Sequence, residues 1–347
     1  MDNRVSKRPV TLKDIAAATG FSINTVSHAL KDREDISCAT REAIKKTAKE
    51  MGYIGNASAR FLRSGVSKLI AIILGDLSNP HFSIMVKEIE TCLRREGYVS
   101  FVMNTDEKPE VERQAIMAAV ERNADGILLC PTQNNRENLA YLQNTGIPFV
   151  LIGRRFPQEG CSYVVCDDEN GGYAAARHLL LLGHRRILFL NGPASISSAR
   201  ERLDGYFRAH QELQVPVDRA LILPTPVTLG KINCRRVGSV VRTHGATAVL
   251  AFSDLIAWEA ISALREEGLH VPEDVSVVGF DNIQSKYPFP VQLTSVTSSK
   301  TTMARRASSL LLRMLKNRAL PPEQLVLGTQ LVVRDTTASP PQKGNRT

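Results

Sequence analysis

The sequence predicts a small all-α head followed by a larger α/β body in two lobes, each a doubly wound parallel sheet. Three observations lead there. The first 52 residues hold three short amphipathic helical patterns, each opened by a capping residue. From Leu69 onward, short apolar runs alternate with longer amphipathic stretches, the rhythm of βαβ units. That rhythm runs through two successive series of similar size, which makes two lobes rather than one.

In the head, Thr11 caps the first helical pattern, with Asp14 three residues on as in a capping box. Leu12, Ile15 and Ala16 share a face, and Gly20 suits the left-handed residue that ends a helix. Ser22 caps the second pattern, with Phe21 and Val26 spaced for a hydrophobic staple. Val26 and Leu30 point inward there. Asn24 and His28, also four apart, point roughly the opposite way. That outer face offers amide, hydroxyl and imidazole groups, the types that hydrogen-bond base edges in the major groove. A helix–turn–helix places its second helix there by its N-terminal half. Helix–glycine–helix patterns also occur in hairpins that only pack. Two features favour DNA. Ser37 caps a third pattern, "CATREAIKKTAKEM", with Ile44, Ala48 and Met51 inward and Gly52 as its stop. Residues 1–68 also carry 13 Lys and Arg against 7 Asp and Glu, a net of +6 out of +9 for the whole chain. Most of the positive excess thus lies in about a fifth of the length, as a phosphate-facing module needs.

The 347 residues are 43% hydrophobic and 23% charged, enough for a head and a two-lobed body. The six cysteines (Cys38, Cys92, Cys130, Cys161, Cys166, Cys234) form no CxxC and no His/Cys metal spacing, so no zinc site is expected. With no signal-like start and no membrane-length apolar run, a soluble cytoplasmic protein is expected. The polar, proline-bearing tail "TASPPQKGNRT" is expected to be disordered.

Between head and body lies "YIGNASARFLRSGVSK". Asn56 is placed to cap a helix of about two turns ending before Gly65. Such a helix is marginal alone. One reading is a flexible linker. The other is a segment that folds only on DNA, with Leu62 as an apolar wedge in the minor groove.

The body's strands read "LIAIIL", "VSFVMN", "DGILLC", "PFVLIG" and "SYVVCD", then "RRILFLNG", "ALILPT", "AVLAFS" and "SVVGFD", with helical stretches between them. Ligands of open α/β sheets bind beyond the carboxyl ends of the strands. Asp76, Asn79 and Phe82 follow the first strand. Arg202 lies in "ARERLDGY", Asp254 follows "AVLAFS" and Asp281 ends "SVVGFD". Carboxylates, a guanidinium and an aromatic face together suit a hydroxylated ligand. Taken singly, each polar residue is as well explained as a turn or cap. Their recurrence at successive strand ends favours a cleft.

These motifs resemble the LacI/GalR family of bacterial transcription regulators from about residue 10 to about residue 337. They include "TLKDIAAATGFSINTVSHALK", "TREAIKKTAKEMGYIGNASARFLRSG", "DDENGGYAAARHLLLLGHRRILFLNG", "RLDGY", "VPEDVSVVGFDN" and "LVVRDTT". The resemblance implies a helix–turn–helix head over residues 1–55, a hinge helix over 56–67 and a periplasmic-binding-protein-like core over 68–338. The N-lobe would span about 68–166 plus 297–327, the C-lobe about 167–296 plus 328–338, and the tail 339–347. It implies that Ile23, Asn24 and His28 read bases, that Ser22, Thr25 and Ser27 touch phosphates, and that Ala59 and Leu62 belong to the hinge. Thr11 and Asn56, the caps of the first and hinge helices, complete the candidate DNA-binding set. Phe82, Arg202, Asp254 and Asp281 match effector-cleft positions, with Asp76 and Asn79 beside them. The chain departs from the family at Ile23, which suits a thymine methyl rather than a polar base edge. It departs also at Ser253 (often Asn), Trp258–Glu259 (often small), His81 (often Phe) and "VTSSK", which lacks the usual Gln-Pro.

The expected function is a DNA-binding repressor acting as a homodimer, with tetramers known in the family, on a near-palindromic operator. A small hydroxylated effector, a sugar or sugar derivative, would switch it. It would lie with the bacterial nucleoid in the cytoplasm. Two rivals are regulators: one switched by a phosphorylated carrier protein, one a purine-type repressor that needs a corepressor. A solute-binding protein shares the two lobes but not the basic head. An enzyme is disfavoured, since the sequence shows no nucleophile elbow, phosphate-cradling glycine loop or metal spacing. No cofactor is expected.

Overall fold

A computed structural model describes residues 8–54, 61, 65–133, 136–156, 160–228, 234–285 and 290–341. The chain divides into two compact units, Met1–Ser67 and Lys68–Thr347. Asn56, Ala59 and Leu62, and the end of the tail from 342, lie outside the described residues.

The head unit is built from α1 (Leu12–Thr19), α2 (Ile23–Ala29) and α3 (Cys38–Glu50). The expected capping box is formed: the Asp14 carboxylate accepts from the Thr11 N–H at 2.8 Å, and the Thr11 hydroxyl accepts from the Asp14 N–H at 3.4 Å. Gly20 ends α1 at φ 74°, a left-handed conformation that costs glycine nothing. The Ser22 and Ser37 side chains accept from Thr25 N–H and Thr40 N–H and start α2 and α3. Ile15, Val26, Ala29, Ile44 and Ala48 form the head's buried core. Phe21, expected to staple onto Val26, is instead exposed.

The second unit holds two six-stranded sheets. The first has strand order β11-β5-β4-β3-β1-β2 and is wholly parallel: β1 (Leu69–Leu74), β2 (Val99–Asn104), β3 (Gly126–Leu129), β4 (Phe149–Ile152), β5 (Tyr163–Cys166) and β11 (Gln324–Leu327). Helices α4 (Pro80–Arg95) and α11 (Lys300–Lys316) cover one face. Helices α5 (Pro109–Glu121) and α6 (Glu137–Asn144) cover the other. The second sheet runs β12-β10-β9-β8-β6-β7: β6 (Ile187–Asn191), β7 (Ile222–Pro224), β8 (Ala248–Ala251), β9 (Ser276–Asp281), β10 (Thr294–Thr297) and β12 (Gln330–Val332). Only β12 is antiparallel among these, pairing with β10. Helices α7 (Asp168–Leu181) and α8 (Ser197–Glu212) pack on one face, α9 (Cys234–His244) and α10 (Asp254–Glu266) on the other. Strands β1, β3, β6, β8 and β9 are buried almost end to end, as double coverage by helices requires. The chain crosses between lobes after β5, after β10 and after β11.

α7 and α8 lie so close that two glycines are obligatory. A methyl group on Gly172 would stand 2.2 Å from the Arg202 carbonyl oxygen, and one on Gly205 would stand 1.9 Å from that of Glu169. Neither backbone neighbour can swing aside as a side chain would. Gly205→Ala is therefore expected to cost about 3 kcal/mol in urea unfolding of the full chain. Gly328→Ala, whose added methyl meets nothing within 4 Å, is expected to change stability by less than about 0.5 kcal/mol. Equal tolerance of both would show that the two helices can part freely.

Candidate functional site

The carboxyl ends of the two sheets face a shared cleft. Its lining includes Asn79, His81 and Phe82 from the start of α4, Cys130 after β3, and Gly153 and Arg154 after β4. From the other lobe come Ser198 and Arg202 on α8, Phe252 and Ser253 after β8, and Asp281 at the end of β9. The open space among them is about 60 Å³. A larger hollow of about 290 Å³ lies away from the cleft, near Phe149, Cys161, Met314 and Arg318. It faces the amino ends of β4 and β5, where open α/β sheets do not bind ligands.

Arg202 is held from several sides. Its Nε donates to Asp168 Oδ1 at 2.8 Å, and its Nη1 donates to the Phe252 carbonyl. The guanidinium lies 3.5 Å from the Phe280 ring centre and 4.4 Å from that of Phe252, within range for cation–π attraction. Burial raises the Asp168 carboxyl above its ordinary value, and the Arg202 charge only partly offsets this.

A second buried pair stands in the other lobe. Arg154 grips Glu107 with both Nη atoms, at 2.7 and 2.9 Å, and donates also to the Pro131 carbonyl. Burial opposes the Arg154 charge, but the Glu107 carboxylate outweighs it and holds the guanidinium above its ordinary value. Asp106 and Glu107 both have positive φ, 50° and 58°. Non-glycine residues pay for that conformation, so the Arg154 grip holds a strained turn in place.

The same device recurs at the end of β9. Asp281 and Asn282 have φ of 102° and 49°. The buried Lys300 ammonium donates to both their carbonyls, at 2.7 and 3.0 Å. Arg334 donates to Asn282 Oδ1 at 2.7 Å. The turn thus aims the Asp281 carboxylate across the cleft, where its Oδ1 lies 3.2 Å from His81 Nδ1. Burial pushes the Asp281 carboxyl up, but the His81 charge and hydrogen bond, with Arg202 and Lys300, bring it below its ordinary value. The lobes are tied at the other edge as well. Ser197 N–H donates to Gln133 Oε1 at 2.8 Å, and Arg155 Nε donates to Glu201 at 3.0 Å.

Four of the six cleft residues expected from sequence, Asn79, Phe82, Arg202 and Asp281, line this space. The other two do not. Asp76 folds back on its own turn, accepting from the Ser78 N–H and hydroxyl at 2.9 and 2.6 Å. Asp254 is the first residue of α10 and fully buried. It accepts from Ile283 N–H at 2.7 Å and from the Ser295 hydroxyl. These are the turn and cap roles that compete for any acidic residue at a strand end. Sequence reasoning did not assign Glu107, Arg154, Asp168, Phe252 or Lys300. Arg154 directly follows the predicted strand "PFVLIG", and Phe252 lies near the end of "AVLAFS", so the strand-end rule reaches them. Glu107 and Lys300 act through the strained turns, which leave no mark in the residue pattern. In the head, Thr11, Ser22, Ile23 and Asn24 are exposed, Thr25, Ser27 and His28 half-buried. Among the described residues no group of His, Cys, Asp or Glu is placed to hold a metal, and no helix is long and apolar enough to cross a membrane.

A three-helix head with a capped second helix, together with a two-lobed body with a polar cleft, is the make-up of a class of transcription regulators. The family model for bacterial regulatory proteins of the lacI family matches residues 11–56, and that for a periplasmic binding protein-like domain matches residues 176–337. The HTH-type transcriptional regulator DegA of Bacillus subtilis (strain 168) is 32% identical over 331 residues, 94% of this chain and 98% of that protein. The Lac repressor dimer bound to operator and the anti-inducer ONPF superposes with a TM-score of 0.80 at 25% identity, covering 95% of this chain and 100% of that one. The transcriptional regulator CelR in complex with cellobiose gives 0.71 at 29% identity, covering 94% and 99%. This chain belongs to the LacI family of bacterial regulatory proteins. Its relatives are transcription regulators rather than enzymes.

Buried beside the cleft, the Asp254 carboxyl is pushed up to about 8 by desolvation and by the Asp281 charge. Unfolding returns it to its ordinary value near 3.8. Between those two values the folded chain holds the extra proton, so this group's contribution to stability falls as pH rises. Asp254→Asn removes it. The stability of the natural chain relative to Asp254→Asn is expected to decline steadily from pH 5 to pH 8 in urea titrations. A difference independent of pH would mean that Asp254 is ionised throughout.

Proposed function

We propose that the chain is a repressor that binds a near-palindromic operator as a homodimer and is switched by a small hydroxylated ligand in the inter-lobe cleft. The cleft carries this reading. Asp281, Asn79, Ser198 and Ser253 offer carboxylate, amide and hydroxyl groups for ligand hydroxyls, and Phe82 gives an apolar wall. Both guanidiniums are already matched by fixed carboxylates, which leaves a neutral polar ligand as the best fit. The likeness to CelR, solved with cellobiose, supports the same class. The space of about 60 Å³ is far below the roughly 300–1,000 Å³ of common ligand pockets. Ligand entry therefore parts the lobes and competes with the Gln133–Ser197, Arg155–Glu201 and His81–Asp281 ties. Coupling between such a change and DNA affinity is typically about 1–3 kcal/mol.

The DNA-binding face is Thr11, Ser22, Ile23, Asn24, Thr25, Ser27 and His28, with Asn56, Ala59 and Leu62 supplying the hinge. The half-sites are read by two copies. The sheet edge at β2 supports a dimer: Val99 is 63% exposed, and Val102 on the same edge strand is also exposed. An open apolar edge strand invites a second chain.

Operator binding, titrated at fixed salt on DNA upstream of the chain's own gene with sugars, sugar acids and purines, tests the reading. One ligand is expected to shift affinity at least several-fold. Asp281→Asn is expected to weaken that ligand roughly tenfold or more, as loss of a charge-assisted hydrogen bond implies. Tight operator binding indifferent to every ligand would remove the cleft from the mechanism. Leu62→Ala is expected to reduce specific binding far more than binding to random DNA, by a side-by-side titration. Equal loss of both would end the wedge assignment.

A further inference from the structure

His28 does not stand alone on the outer face of α2. Its Nδ1 lies 2.6 Å from Asp35 Oδ2, on the turn between α2 and α3. A carboxylate only accepts, so the proton of this bond sits on Nδ1. The other ring nitrogen, Nε2, is then the one left for a partner outside this bond, and the ring cannot flip without breaking it. Of the neighbouring charged groups, Lys31 and Asp32 have other partners. Lys31 donates to Ser27 Oγ at 2.8 Å, Asp32 pairs with Lys45, and Arg33 and Lys31 donate their backbone N–H groups to the His28 carbonyl. Asp35 itself is half exposed.

An exposed carboxylate beside the helix that faces DNA is costly in one respect. It repels phosphates, in a head whose net charge of +6 otherwise attracts them. A residue that lowers general affinity for DNA has its use in specificity instead. We propose that Asp35 is a positioning residue for base reading: it fixes which edge of the His28 ring meets the base pair. The proposal rests on α2 being the base-reading helix, as set out above.

The two roles open to Asp35 leave different signatures. If it only supports the fold of the turn, its loss weakens binding to all DNA alike. If it positions His28, its loss erases preference at a single base pair of each half-site, while binding to random DNA stays the same or tightens. The full-length chain and the variants Asp35→Ala, Asp35→Asn, His28→Ala and His28→Ala/Asp35→Ala are each used to select duplexes from a randomised pool at fixed salt. The consensus and its single-base variants are then titrated. Asp35→Ala is expected to lose about three- to tenfold of discrimination at the same base pair that His28→Ala affects. The double variant is expected to be no worse than His28→Ala. Asp35→Asn, which keeps an oxygen acceptor, is expected to retain part of the preference. A selected profile for Asp35→Ala identical to that of the natural chain would overturn the proposal. So would a uniform loss across all sequences, random DNA included. If the natural chain enriches no sequence, the operator reading fails first and this one falls with it. Enrichment by the natural chain with no change in Asp35→Ala removes the positioning role alone.

Discussion

The cleft depends on one buried cation, the Arg202 guanidinium. Taking that charge out of water is worthwhile only if every side of it is answered. Asp168 answers the charge, the Phe252 carbonyl takes another donor, and the Phe280 and Phe252 rings cover the faces. None of this is reachable unless α8 approaches α7 to within backbone contact. Gly172 and Gly205 exist at that crossing for this reason. Helix packing and cleft chemistry are thus one constraint. The glycines let the helices meet, and the meeting delivers Arg202 to its partners.

The other cleft carboxylates are fixed by a different device, repeated in both lobes. In each, two consecutive non-glycine residues adopt positive φ, and a buried cation closes the turn: Arg154 on Glu107, Lys300 on the Asp281 and Asn282 carbonyls. Strain of this sort costs on the order of 1–3 kcal/mol per residue and persists only where its surroundings over-determine it. The result is a set of side chains whose directions are set before any ligand arrives. Besides the Lys300 bonds at the crossover, the lobes are tied by Gln133–Ser197, Arg155–Glu201 and His81–Asp281. The last three join elements that belong to separate sheets and separate hydrophobic cores, so they can be exchanged without unfolding either lobe. A rigid half-site in each lobe with exchangeable ties between them is what the proposed switch requires.

Much of this was legible in the sequence, for reasons that are local. The caps at Thr11, Ser22 and Ser37 and the stop at Gly20 are contests between a side chain and its own backbone, decided within four residues. Strands β1, β3, β6, β8 and β9 announce themselves because burial on both faces demands unbroken apolar runs. Asn79, Phe82 and Asp281 were singled out because strand ends in such sheets open on one side, and Arg202 because of the "RLDGY" motif.

Where the same rule led to Asp76 and Asp254, it had no means of knowing which way a carboxylate turns. Asp76 turned back to Ser78, and Asp254 turned down to Ile283 and Ser295. His28 presents the same division. Its place on the outer face of α2 follows from helical periodicity, whereas its bond to Asp35 joins a helix to a turn seven residues on. The sequence by itself determined the head, the order of strands and helices, and the ends of the sheets where a ligand would lie, because propensity, capping and burial act over a few neighbouring residues. Only the tertiary structure decided which charges pair across the cleft, which turns are held under strain and which nitrogen of the His28 ring is bound to Asp35. Those choices depend on atoms brought together from distant parts of the chain, and no local pattern records them.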